Sequence, residues 1–157
     1  MKSNDVRSIS VEEWSLLAKD GIDLEIRIQL YGNSMVPLIR RKKDYVVIHA
    51  LNRPLKRGDV VLFHRNDNSY VVHRVWKICD SQIQTMGDNC YSPDIPISKD
   101  EVLGLITQVH RGNGVLYIDT KIGRCIGILW LVLMPLRRWI RKLLRPLKHG
   151  LKNIVRR

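Results

Sequence analysis

Seven short strand-like runs separated by turn signals constrain this chain more than any other feature. The first, Leu24-Glu25-Ile26-Arg27-Ile28-Gln29-Leu30, alternates strictly between apolar and polar residues, the period of a half-buried strand. The others are Tyr45–His49, Asp59–His64, Tyr70–Ile78, Ile83–Met86, Val102–Val109 and Val115–Ile118. Asn52-Arg53-Pro54, Asn66-Asp67-Asn68, Asp80-Ser81 and Gly112-Asn113-Gly114 punctuate them with residues that favour turns. Many short strands with little helix between them predict a mainly β, antiparallel domain. Ahead of them, Ser10-Val11-Glu12-Glu13 fits a capping box, and Val11, Trp14, Leu17 and Ala18 follow at helical spacing. This predicts a short helix to Lys19, closed by Gly21.

With 157 residues, 45% of them hydrophobic and 27% charged, the chain has the length of one domain and enough apolar surface for a core. Disorder of the whole chain is excluded. The three cysteines, Cys79, Cys90 and Cys125, are odd in number and widely spaced, which excludes a disulfide scaffold. They form no C-x-x-C pair and no cluster with histidine, so neither a zinc site nor any other cofactor is expected.

The net charge of +12 is unevenly placed. All fifteen acidic residues fall at or before Asp119, while eleven Lys and Arg and no acid follow Thr120. Residues 1–120 therefore read as a nearly neutral β domain and residues 121–157 as a basic tail. From Leu136 the apolar period becomes helical. Leu136, Trp139, Ile140, Leu143, Leu144 and Leu147 share a face opposite Arg137, Arg138, Arg141, Lys142 and Arg145, and Pro135 and Pro146 break the helix. An aliphatic face with one Trp, opposed by cations, matches a helix lying in an anionic membrane surface. The same stripe also fits packing on the β domain or docking on a partner protein. Nucleic acid is not expected, because the tail lacks the interleaved aromatics of a single-strand binder.

The polar start, Met1 to Ser10, does not read as a secretory signal. The apolar run Cys125–Leu136 has twelve residues, too few to span a bilayer of ~30 Å. Peripheral membrane association through the tail is the expected location, with a cytoplasmic protein as the alternative.

Four segments carry residues suited to chemistry. Gly32-Asn33-Ser34-Met35-Val36-Pro37 presents a serine in a turn that leaves a strand. Arg57-Gly58-Asp59-Val60-Val61-Leu62 is a turn feeding a buried strand, and Val71-Val72-His73-Arg74-Val75 is a strand carrying one histidine. Met86-Gly87-Asp88-Asn89 is followed by Ser92-Pro93-Asp94. Singly, each has an ordinary structural reading: a turn serine, a core histidine, a Gly-Asp turn.

Together and in this order, the S-M-x-P, G-D-V-V, H-R-V and G-D-N…D blocks resemble the signal peptidase I clan of serine proteases, which includes the self-cleaving SOS and phage repressors. The resemblance covers Tyr31 to Ile106, about half the chain, with Val102-Leu103-Gly104-Leu105-Ile106 similar to the closing strand. It implies a mainly β fold built on a coiled sheet. His73 stands where many members have lysine, which resembles the histidine-type branch of endoplasmic-reticulum and archaeal signal peptidases. By that resemblance Ser34 is the nucleophile, His73 the general base, and Asp88 and Asp94 the two acidic positions, either of which is a candidate to face the imidazole.

The chemistry is coherent. A serine hydroxyl needs an adjacent base to become a useful nucleophile, and imidazole, with a reference pKa of ~6.5, is mostly neutral at pH 7. A carboxylate on the other ring nitrogen holds the tautomer. Backbone N–H groups around Asn33 and Ser34 are the candidate oxyanion donors, since Gly32 has no hydroxyl to contribute.

Housekeeping members carry a transmembrane anchor just before the serine motif, whereas the 33 residues preceding Ser34 read as a capped helix and a strand. Compact members of this kind resemble dedicated maturation proteases. The expected function is therefore a serine endopeptidase that removes a leader or signal segment from a peptide or protein precursor, with small side chains at the cleavage site. Self-cleavage is not expected, since residues 1–33 contain no DNA-binding domain and no Ala-Gly pair. The alternatives are a catalytically silent peptide-binding module tethered by its tail and a basic adaptor acting through residues 121–157 alone.

Overall fold

In a computed structural model, residues 10–19, 24–65, 67, 69–137 and 139 are described. Helix α1 (Val11–Lys19) is followed by strands β1 (Ile26–Gln29), β2 (Tyr45–Ala50), β3 (Val60–His64), β4 (Tyr70–Ile78), β5 (Gln82–Met86) and β6 (Ile97–Ser98). A 3₁₀ turn (Lys99–Glu101), β7 (Val102–Arg111), β8 (Gly114–Tyr117) and helix α2 (Lys121–Val132) complete the order. The seven expected strands are all present, with ends shifted by one or two residues. The two-residue β6 has too short a pattern to show in sequence. Gly21, expected to close α1, lies outside the described residues.

The strands form one antiparallel sheet in the order β1-β2-β7-β3-β4-β5-β6, with β8 added to β7, and the sheet curls into a half-barrel. The ten-residue β7 is its spine. β2 runs along one side of it; on the other, β3 takes Val102 to Leu105 and β8 takes Gln108 to Arg111. Register shifts at Val47/Ile48 and Leu62/Phe63 are β-bulges, which bend a strand and increase its twist.

Two apolar clusters fill the two faces of the curl. One joins Trp14, Ile26, Met35, Val46, Ile48 and Ile106, and the other joins Val61, Phe63, Val75, Ile83 and Leu105. Adjacent residues of β3 go to opposite clusters, as the period of two requires. The capping box at α1 forms, with Ser10 N donating to Glu13 Oε2 at 2.9 Å and Glu13 N to Ser10 Oγ at 3.1 Å. α1 then drives Trp14 into the core, its indole N–H donating to Leu24 O at 2.7 Å.

The turn between β1 and β2 is locked by Asp44, whose side chain is fully buried. Arg40 donates to it at 2.8 Å, and Arg111 of β7 donates to it at 2.9 Å while also reaching Pro37 O and Leu38 O. Burial pushes the Asp44 carboxyl up, but the hydrogen bonds from Arg40 and Arg111 outweigh it and hold the group down at about 2.

The segment read as a tail begins with α2, capped by Thr120 Oγ1 on Gly123 N at 3.0 Å. This helix packs on the β domain through Gly127 and Leu131. A further helical turn at 134–137 continues past Pro135. Residues 138 and 140–157, which carry most of the expected amphipathic stripe, lie outside the described residues. Among those described, no helix is long and apolar enough to cross a membrane.

Because Asp44 titrates below its ordinary value of 3.8, its ionised form stabilises the native state fully above that pH, and this contribution disappears as pH falls towards 2. Its size is about 2 kcal/mol. Urea titrations are expected to show Asp44→Asn less stable than the parent by about this amount at pH 7. The gap should close between pH 4 and pH 2; a gap independent of pH would remove Asp44 from this role.

Candidate active site

Ser34 sits where the chain leaves β1 and turns back towards β2. The turn is held from below by Met35 and Ile39, both fully buried, with Ile39 N donating to Met35 O at 2.9 Å. From the side, Asn89 N donates to Ser34 O at 2.7 Å and Asn89 Nδ2 to Asn33 O at 3.2 Å. The serine is thus carried by a turn whose backbone is bonded to the loop after β5.

That loop begins at Gly87, where the backbone passes between the two candidate groups. A Cβ at this position would lie 2.8 Å from Ser34 O, 2.9 Å from His73 Nε2 and 2.6 Å from Cys90 Sγ. Only a residue without a side chain permits this close approach. Ser34, His73 and Asp94 line one cleft of about 620 Å³, together with Met35, Leu62 and Cys90.

His73 lies on β4, between β3 and β5, opposite Val61 and with its ring edge-on to Phe63. It is buried. Its Nδ1 is 2.6 Å from Asp94 Oδ2. Thr85 Oγ1 donates to the same oxygen at 2.7 Å, and Arg65 approaches the other oxygen at 3.2 Å. Asp94 is itself placed by its backbone, its N–H donating to Thr85 O at 2.8 Å. Burial pushes the Asp94 carboxyl up, but hydrogen bonds from His73 and Thr85, with the charges of His73 and Arg65, hold it below its ordinary value. It is therefore an ionised acceptor at neutral pH, aimed at the ring nitrogen remote from Gly87.

The neighbouring Arg74 points to the other face of β4, and it takes Asp88 with it. Arg74 Nε and Nη2 donate to the two oxygens of Asp88, each at 2.8 Å, and Nη1 donates to Gly58 O at 2.8 Å. Both side chains are 2% exposed. The two acidic positions thus separate: Asp94 meets the imidazole, and Asp88 closes a buried ion pair behind it. Arg74 is thus a buried carboxylate partner. His49, His64 and His110 are half-buried near strand ends and do not line this cleft, and His149 lies outside the described residues.

α2 covers this pair. Trp130 Nε1 donates to Asp88 O at 2.9 Å, and the Arg137 guanidinium stacks over the Trp130 ring at 3.9 Å. Gly127 faces Arg74 so closely that a Cβ there would lie 2.2 Å from the guanidinium carbon. Thr85, Arg65, Gly127 and Trp130 were not singled out by sequence, and Gly87 only as part of a Gly-Asp turn. Thr85 and Gly87 sit inside recognisable blocks, but the period-two pattern marks only faces and carries no signal for what a loop 29 residues away will bring to Arg65. Among the described residues, no three His, Cys, Asp or Glu side chains gather as a metal site.

Residues 23–109 match the family model described as Peptidase S24-like. That span holds Ser34, His73, Asp88 and Asp94, and it ends within β7, before α2. A comparison with curated proteins returns no match.

Removing one partner from a buried ion pair leaves an uncompensated charge, so Asp88→Asn should lower unfolding stability by about 3–5 kcal/mol. Gly127→Ala overpacks the same site and should cost about 1–3 kcal/mol. Thermal and urea unfolding check both; parental stability in Gly127→Ala would show that α2 does not press on Arg74.

Proposed function

The chain belongs to the peptidase S24-like family, and we propose that within it this protein is a Ser34/His73 endopeptidase that removes a leader or signal segment from a precursor. The family accounts for a serine peptidase. The finer reading is carried by one observation, the 2.6 Å contact between His73 Nδ1 and Asp94 Oδ2 on the wall of the cleft that also holds Ser34.

In this reading His73 Nε2 takes the proton of Ser34 Oγ as the oxygen attacks the scissile carbonyl. Asp94 keeps the ring in the tautomer with its proton on Nδ1 and stabilises the imidazolium as it forms. It acts as a positioning residue, itself oriented by Thr85 and Arg65. The carbonyl oxygen becomes an oxyanion beside the Asn33-Ser34 turn, whose N–H groups are the proposed donors. His73 then hands its proton to the leaving amine, and a water activated by the same nitrogen hydrolyses the acyl-serine.

The substrate strand has a place to bind. β1 ends the sheet order with β2 as its neighbour, and Ile28, Gln29 and Leu30 line the cleft. An extended peptide added to this edge would use main-chain hydrogen bonds for affinity and the cleft for side-chain choice. Leu62, Met35 and Cys90 give that cleft an apolar wall beside the serine, and small side chains at the cleaved bond are proposed to sit there.

Mass-spectrometric mapping of cleavage in a diverse peptide library tests the reading. The parent is expected to cut, Ser34→Ala to leave every peptide intact, and Asp94→Asn to lower kcat by about 10⁴-fold with its fold unchanged. Products formed equally by parent and Ser34→Ala would sink the assignment. Parent binding to peptides without cleavage would instead identify a silent peptide-binding module.

A further inference from the structure

Helix α2 uses one side to hold Arg74 and Asp88, and its other side is unused by the domain. Ile122, Ile126, Leu129, Leu133, Leu136 and Trp139 are between 40% and 73% exposed. Their spacing of three and four residues places them on one face of α2 and the turn that follows it. β8 lies alongside and exposes Val115, Leu116 and Tyr117. Leu116 and Tyr117 of β8 and Ile122 and Ile126 of α2 line the apolar mouth of a shared groove of about 490 Å³ that reaches Arg74, Asp88 and Arg111. Helix and hairpin therefore present one apolar surface to solvent, and packing on the β domain does not account for it.

The charge around this surface selects its occupant. Residues 121–157 contain eleven Lys and Arg and no acid. A second copy of the chain would bring two such segments together and would repel. The sequence beyond 139 is apolar and basic and contains no acid, so it supplies no acidic complement. An anionic bilayer meets both requirements at once: it takes up the aliphatic face and Trp139 at the depth of the acyl chains, and its headgroups attract the cations, each by about 1 kcal/mol.

We propose that the outer face of α2, joined to β8, is the surface by which this protein docks on an anionic membrane. This goes beyond the peptidase reading and stands independently of it. It also sets the distance to the cleft: the loop 87–89, which braces Ser34, contacts the inner side of α2, so only the diameter of one helix, about 10–12 Å, separates it from lipid.

The test uses the full chain in vesicle flotation, with phosphatidylcholine alone and with phosphatidylcholine mixed with phosphatidylglycerol. The parent is expected to float with the mixed vesicles and not with phosphatidylcholine alone, and to lose binding as salt is raised. Ile126→Glu/Leu129→Glu changes two solvent-facing positions and should keep parental circular dichroism and Tm while losing at least tenfold in vesicle affinity. Flotation of this variant like the parent would overturn the proposal, showing that basic residues alone bind. So would a parent that ignores both vesicles, a concentration-dependent dimer that the variant abolishes, or binding to DNA that the variant abolishes without any vesicle binding.

Discussion

The buried pair between Arg74 and Asp88 ties together more of this molecule than any other single interaction. The guanidinium comes from the middle of β4, the carboxylate from the loop after β5, and the third guanidinium nitrogen is spent on Gly58 O ahead of β3. Three separate segments are thereby fixed to one rigid fork, whose planar geometry matches a carboxylate as a lysine could not. Burying both charges carries a desolvation cost that their attraction offsets only with good geometry and full hydrogen bonding, and both conditions are met here. The pair is less a source of net stability than a specification of where the loop at 87–89 must lie.

That specification reaches the cleft by the shortest possible route. His73 and Arg74 are consecutive on a strand, so they project to opposite faces of the sheet. One carries the imidazole towards Asp94 and Ser34, and the other anchors the backbone behind it. The loop held by Asp88 then returns through Gly87 between Ser34 O and His73 Nε2, and Asn89 bonds to the serine turn. Serine turn, histidine strand and acidic loop are separated by tens of residues in sequence, yet each is hydrogen-bonded or packed directly against another.

Much of the fold was legible because its signals are local. The alternation at Leu24–Leu30, the β-branched run at Tyr70–Ile78 and the capping box at Ser10 each announce an element whose formation depends on its own residues. The strand order was not legible, since nothing local states that β7 will lie between β2 and β3. The division of labour between Asp88 and Asp94 was equally hidden: both follow a turn residue, and only the register of β4 against β5 decides which meets His73 and which meets Arg74. Helix α2 shows the same limit. Its apolar run was visible, but nothing local marks Gly127 as a contact point, because its partner is a guanidinium contributed by a strand more than fifty residues earlier.

Seen from α2, that glycine acts as a key. A helix that must place Gly127 over a guanidinium, and Gly123 one turn earlier against the backbone of Ile118, has a single permitted rotation about its axis, and sliding by one residue would drive Ile126 or Ile128 into the ion pair. The orientation of every other residue on the helix follows from this. Ile122, Ile126 and Leu129 are left exposed because Gly127 faces inwards, so the exposed surface is inherited from the contact that Gly127 makes. Transplanting this helix onto another sheet of the same family would therefore carry its outer face along correctly only if the recipient offered an arginine at the matching place on its fourth strand.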